Sequence, residues 1–203
     1  MRVTPTAAPV RRRENTRARL LAAAEEVFVH KGLKRVTVDD LVGAAGFTRG
    51  AFYSNFSSIE EVFYELFRQQ SEAMLAIVRE VVDEAPEEEF SIGLVLERLR
   101  PLSVRWFVIQ AEFTLLALRN DEARALFQEH RATFENQMVG LIGDLVARLG
   151  RVPTVPLEQL TETAIALYLH SLAQEGLGMG TLHTAALTDI VLPKVIVGLS
   201  RPA

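Results

Sequence analysis

The chain has 203 residues, 49% of them apolar, which suits one or two domains with a buried core and argues against a disordered chain. It contains no cysteine, so disulfides and thiolate metal sites are excluded. The net charge of −4 hides a split: residues 1–56 carry ten Lys/Arg against five Asp/Glu, and residues 57–203 carry twelve against twenty-one. A basic front on an acidic body points to a polyanion as the partner of the front, the alternative being a solvated imbalance.

Residues 1–10 hold Pro5 and Pro9 and lack periodicity, so they read as a flexible basic arm. No apolar stretch of signal-peptide length follows the first basic residues, and none approaches about 18 uncharged residues. The expectation is a soluble cytoplasmic protein with no membrane span. From about Arg12, Leu20, Leu21, Ala24, Val27 and Phe28 follow the spacing of one helical stripe, and Gly32 sits where a helix ends. Thr37 is placed as the N-cap of a second helix, with Asp39 and Asp40 in its first turn and Gly46 as its stop. Thr48 caps a short third helix running to about Asn55. Ser57 or Ser58 caps a long fourth, which Pro86 ends. Further helices are expected near 87–100, 102–118, 122–149, 156–178 and 184–199, the last kinked at Pro193. Nothing alternates strictly like a strand, so the fold is expected to be all-α with about nine helices.

Two short helices joined by a tight turn at Gly46 form a helix-turn-helix, which needs the stripe of the first helix to bury its apolar faces. Phe47, Phe52 and Phe56 are expected to plug that three-helix head. Gly50 and Ala51 keep the leading surface of the short third helix low, as entry into a major groove requires.

The stretch Thr37-Val38-x-x-Leu41, then Ala44-Ala45-Gly46-Phe47-Thr48-Arg49-Gly50-Ala51-Phe52-Tyr53, then Phe56 and Glu60-Glu61-Val62-Phe63 resembles the TetR family of bacterial transcriptional regulators. The resemblance covers about 50 contiguous residues. It implies a DNA-binding head over 11–56 and a helical ligand-binding and dimerisation domain over 57–203. It implies that Thr37 contacts phosphate and that Thr48, Arg49, Gly50, Ala51, Tyr53 and Asn55 lie on or beside the recognition helix. Lysines common in the family at two backbone-contacting positions are replaced here by Ser57 and Ile59. Phosphate anchoring must then fall more on Tyr53, Lys34 and Arg35, and on the run Arg11-Arg12-Arg13 if that is an arm and not a solvated tail. Arg49 reads guanine with its two-pronged guanidinium or holds a phosphate, and the residues alone leave both open.

In the body, the segment 102–118 is apolar all round yet carries Gln110, Glu112 and Thr114. A buried polar group needs a partner, and a ligand can be one. Trp106, Gln110 and Phe113, facing Phe127, His130 and Phe134 of the next helix and Phe67, Gln70 and Met74 of the fourth, outline a candidate small-molecule pocket. The alternative is a packed core with Gln110 and His130 satisfied internally. The last two helices are apolar on more than one face, and Ile165, Leu169, Leu172 and Ile196 are assigned to a two-fold dimer, which the family resemblance also implies.

No catalytic or metal-ligand spacing occurs among the four histidines, and Gly176-x-Gly178-x-Gly180 follows a helix and not a strand. No enzymatic activity, metal or cofactor is expected. The sequence reads as a dimeric regulator, by family default a repressor, released from a palindromic double-stranded operator when a mostly apolar effector tilts the fourth helix as a lever. The alternative is a dimeric small-molecule-binding interaction protein with little DNA specificity.

Overall fold

The computed structural model describes residues 7–178 and 187–203, and within them the chain forms eight α-helices and one two-stranded ribbon. It divides into two compact units, one ending at Gln69 and the other beginning at Gln70.

The first unit contains α1 (Ala7–Lys31), a 3-10 turn (Leu33–Arg35), α2 (Val38–Ala45), α3 (Arg49–Tyr53) and the opening turns of α4 (Ile59–Glu84). Helix α1 starts inside the expected arm; the first six residues of that arm lie outside the described residues. Leu20, Leu21, Ala24 and Phe28 are buried along one stripe of α1, as their spacing dictates. Phe28 meets Phe63 edge-on at 5.2 Å, and Phe52 packs by Phe56 at 6.0 Å. Phe63, Glu61 and Glu65 join this packing, the two acids lying 3.7 and 3.8 Å from Arg17. That is why the first unit reaches beyond residue 56. Phe47 is not the core plug expected of it. It is half-buried, with the Arg19 guanidinium 4.7 Å above its ring.

Each local element has a visible cause. Thr37 caps α2 in a reciprocal box with Asp40, and Gly46 ends the helix in the left-handed region at φ 70°. Thr48 Oγ accepts from the Ala51 amide to start α3. At α4, Ser58 Oγ accepts from the Glu61 amide, while the Ser57 amide and hydroxyl both donate to the Glu61 carboxylate. Those bonds, the Ser57 amide first, hold the Glu61 carboxyl below its usual range.

The second unit holds the rest of α4, then α5 (Ile92–Ala117), α6 (Asp121–Arg148), α7 (Leu157–Gly176), a π-helical turn (Leu187–Val191) and α8 (Leu192–Gly198). Two expected helices are one: α5 runs through Pro101 without a break. Pro101 is exposed, so the carbonyl it leaves unbonded faces water. The helix begins later than expected, at Ser91, whose hydroxyl accepts from the Leu94 amide; Pro86 to Glu89 make a turn before it. At Pro193 the π-helical turn Leu187–Val191 gives way to α8. The proline sits in the first turn of α8, a position it tolerates. Residues 179–186, which include the start of the expected last helix, lie outside the described residues.

The ribbon is the element that sequence reading missed. Strand β1 (Arg151–Pro153) pairs antiparallel with β2 (Ser200–Pro202), with Val152 opposite Arg201. Arg151 clamps it, its guanidinium donating to Ser200 Oγ at 2.8 Å and to the carbonyls of Ser200 and Val197. Among the described residues no helix is long and apolar enough to cross a membrane.

Candidate nucleic-acid interface and effector cavity

Helices α2 and α3 present a connected polar surface on the first unit. The Thr37 hydroxyl is occupied within the chain: it accepts from the Asp40 amide and donates to the Asp40 carboxylate at 2.9 Å. Lys31 closes the group, its ammonium 2.6 Å from Asp40. Lys31 and the Thr37 donors pull the Asp40 carboxyl down to about 2. Thr37 therefore acts first as a cap, with two carboxylates in the turn that follows it.

The other expected contact residues divide. Tyr53 is 60% exposed, its ring edge-on to Phe52. Lys34 and Arg35 are exposed on the 3-10 turn. Thr48 is spent on capping. Gly50 stands in open space: a Cβ there meets only Thr48 Oγ1, at an ordinary 3.8 Å, and its φ is not positive. Nothing in the chain itself demands glycine at that position. Asn55 does not belong on the surface. It is 8% exposed, and its side-chain amide donates back to the Ala51 carbonyl at 2.7 Å, closing the end of α3. The Arg17 guanidinium donates to the Asn55 carbonyl at 2.8 Å and covers the Phe56 ring at 4.2 Å.

Arg49, the first residue of α3, is held by Asp39 of α2. Its Nε donates to Oδ1 at 2.6 Å and its Nη2 to Oδ2 at 2.5 Å. Sequence reading gave Asp39 only a helix-dipole role, because an acid ten residues before an arginine finds it only through the angle between two helices. Arg17 and Arg19, part of the basic count at the front of the chain, serve the first unit's interior packing and helix ends.

In the second unit a cavity of about 80 Å³ opens between α4, α5, α6, α7 and α8. Of the expected ligand residues, Met74, Trp106 and Phe134 line it, with Trp106 stacked on Phe134 at 5.8 Å. Gln110, Phe113, Phe127 and His130 do not; Phe113 and Phe127 form their own edge-on pair at 4.9 Å. Phe67 belongs to the first unit and Gln70 is not in the lining, although Gln70 Oε1 is buried with no donor among the described residues. Residues from Ile92 to Leu99, unsuspected from sequence, supply part of the wall.

The residues assigned to the dimer divide at the same place. Ile165, Leu169 and Ile196 line this cavity, and Leu172 is 3% exposed in the surrounding core. Leu172 and Ile196 are buried within the one chain, while Ile165 and Leu169 are half-buried on α7.

The polar atoms at the wall are already paired. Trp106 Nε1 donates to Ser71 Oγ at 3.2 Å. The Ser103 hydroxyl donates to the Leu99 carbonyl, so the short contact between Ser103 and Tyr168 has Tyr168 as donor. Burial pushes the Tyr168 phenol above its ordinary pKa. Among the described residues no charged side chain lines the cavity. Among the described residues no three acidic or histidine side chains are grouped to hold a metal.

Comparison with known proteins agrees with this layout. Residues 20–66 match the family described as bacterial regulatory proteins, tetR family. Over 119 residues the chain is 32% identical to the HTH-type transcriptional repressor KstR2 of Mycobacterium tuberculosis, covering 58% of this chain and 56% of that protein. Over 182 residues it is 28% identical to the HTH-type transcriptional repressor AcnR of Corynebacterium efficiens, covering 87% and 90%. The match to the first of these relatives thus spans little more than half its length. In fold, the chain is similar to a TetR-family transcriptional regulator of Cytophaga hutchinsonii, with a TM-score of 0.75 at 17% identity over 95% of this chain and 98% of that one.

Proposed function

We propose that the chain, whose residues 20–66 match the TetR family of bacterial regulatory proteins, is a transcriptional repressor whose first unit reads double-stranded DNA in the cytoplasm. One observation carries the reading. Gly50 has no packing reason to be glycine, yet it sits at the start of a short exposed helix between Arg49 and Tyr53. A close external surface explains the missing side chain, and a groove floor is such a surface. Arg49 then reaches a base edge, while Tyr53, Lys34 and Arg35 meet phosphates. Arg11, Arg12 and Arg13 fall in α1, so they act as part of a helix and not as a loose arm.

The operator is palindromic and the protein binds it as a homodimer, because one α3 helix offers too few base contacts for a unique site. Of the residues first assigned to the dimer, Leu172 and Ile196 are buried within one chain. The second copy instead meets the outward face that bears Ile190 and Val197, exposed at 51% and 42%.

The effector is a neutral, mostly apolar small molecule held in the second unit. A charged group placed among these walls would be buried without a partner. The cavity is also too small as it stands, since pockets for such ligands run to roughly 300–1,000 Å³. The effector therefore binds an expanded state, entered when the flexible Met74 and Met138 side chains move aside. Helix α4 contributes Met74 to the wall and runs back into the first unit, so the expanded state and the DNA-bound state compete through it.

Trp106 is the only tryptophan and lies in the wall, so effector binding alters its fluorescence. The test scores a panel of neutral apolar compounds by that signal and by release of DNA together. Linkage requires DNA to weaken effector binding by the same factor, and about 2.7 kcal/mol of coupling corresponds to a hundredfold effect. Fluorescence changes with unaltered DNA affinity would leave a cavity without a regulatory role.

A further inference from the structure

We propose that Asp39 determines the sequence selectivity of the DNA-reading surface by fixing the plane and direction of the Arg49 guanidinium. The inference rests on the reading of the first unit as a DNA-binding head.

The pair is poorly explained as a support for the fold. Asp39 and Arg49 are 65% and 64% exposed, and ion pairs in that setting contribute little to stability. The helices they join already bury Leu41, Val42 and Ala45 of α2 and Phe52 of α3 in the core. What the pair does control is orientation. A free arginine spreads over many rotamers, and a second anchoring point removes most of them.

The atoms used are informative. Asp39 takes one edge of the guanidinium, the Nε–H and one Nη2–H. Three N–H groups remain, and the far end still offers a parallel pair from Nη1 and Nη2. Two parallel donors match the O6 and N7 acceptors of guanine in the major groove. The grip is charged across the neutral range, because the Arg49 hydrogen bonds lower the Asp39 carboxyl and Asp39 in turn raises Arg49.

Asp39 also has a cost. A carboxylate on a surface that meets phosphates weakens binding to every sequence alike. An acid there lowers general affinity while it raises discrimination, because a restrained Arg49 cannot slide to the nearest phosphate. With Asp39 removed, the freed guanidinium becomes one more phosphate contact.

The experiment uses the full chain as wild type, Asp39→Asn, Asp39→Ala and Arg49→Ala. Each selects its preferred sites from a randomised duplex pool, and its affinity for the selected wild-type site and for an unrelated duplex is then followed against salt. Both Asp39 variants should bind the unrelated duplex at least as tightly as wild type. Their ratio of specific to non-specific affinity should fall about tenfold, with guanine preference relaxed at one position of each half-site. The same position should relax in Arg49→Ala. The slope of log affinity against log salt should steepen by about 0.9 in the Asp39 variants, the signature of one added phosphate contact. Melting temperatures equal to wild type exclude a folding defect, and an exposed carboxylate makes that the expected result. Asp39 variants that keep the wild-type preference and salt slope would overturn the proposal while leaving the DNA reading intact. A wild-type protein that enriches no sequence would overturn both.

Discussion

Gly50 and Asp40 show how much a single residue reveals once its surroundings are known. Replacing Gly50 by alanine adds a methyl group that touches only Thr48 within the chain. Folding stability should hold or rise, by up to about 1 kcal/mol, since glycine in a helix is entropically unfavourable. Operator affinity should fall roughly tenfold or more, equivalent to at least about 1.4 kcal/mol, as the methyl holds the backbone off the groove. Thermal melts and mobility shifts on the same preparation separate the two effects. Asp40 gives a pH-dependent counterpart. Its carboxyl lies at about 2 when folded, against 3.8 for the free group. Its contribution is therefore complete above the free value and is lost as pH falls from about 3.8 toward about 2. The melting-temperature gap between wild type and Asp40→Asn should be constant near neutrality and close in that acid window. At this scale the caps were legible from sequence, because Thr37, Gly46 and Thr48 act on neighbours three or four residues away. Asn55 was not. Its family position suggested the surface, and only the three-dimensional course of α3 turns its amide back onto Ala51.

At the scale of elements, local signals gave the helices and long-range ones set their limits. The stripes of α1, α2 and α4 and the stops at Gly32, Gly46 and Pro86 were readable. Pro101 misled, because a proline on an exposed helix face is tolerated when its neighbours on the buried face, such as Leu99, Ser103 and Trp106, hold the helix in the core. The ribbon left no local trace: its strands are three residues long and 49 positions apart, and Arg151 joins them. A second arginine closes α4. Arg148 donates to the Val81 carbonyl at 3.0 Å and to those of Val82 and Ala85, and lies 4.1 Å over the Phe90 ring. The last carbonyls of a helix have no partner within it, so this guanidinium satisfies groups that water would otherwise have to reach. Arg148→Met keeps much of the apolar stem and removes the donors. It should lower stability by about 1.5–3 kcal/mol, measured by chemical denaturation, with Arg148→Lys recovering only part.

For the whole molecule, apolar helix faces were read in two roles, and the structure buries two of the residues read as dimer contacts. Leu172 and Ile196 looked like dimer residues because α7 and α8 carry more apolar surface than one flat contact needs. The cavity between the helices uses that surface inside one chain. Charging either residue should therefore unfold the second unit: Leu172→Asp or Ile196→Asp should cost more than about 3 kcal/mol of stability, an effect seen in the melt. Val197→Asp should instead leave the melt nearly unchanged and shift sedimentation toward the monomer.

The proposed reading of DNA sequence by the first unit underlies the other proposals. Its most direct test is a footprint of the full chain on the intergenic DNA upstream of its own gene, with excess random duplex present. Two protected half-sites related by two-fold symmetry are expected, their centres about one helical turn, roughly 34 Å, apart or a little more. Arg49→Ala should lose that protection at the same concentration. Protection spread evenly along the fragment, abolished by random duplex and indifferent to Arg49→Ala, would contradict it.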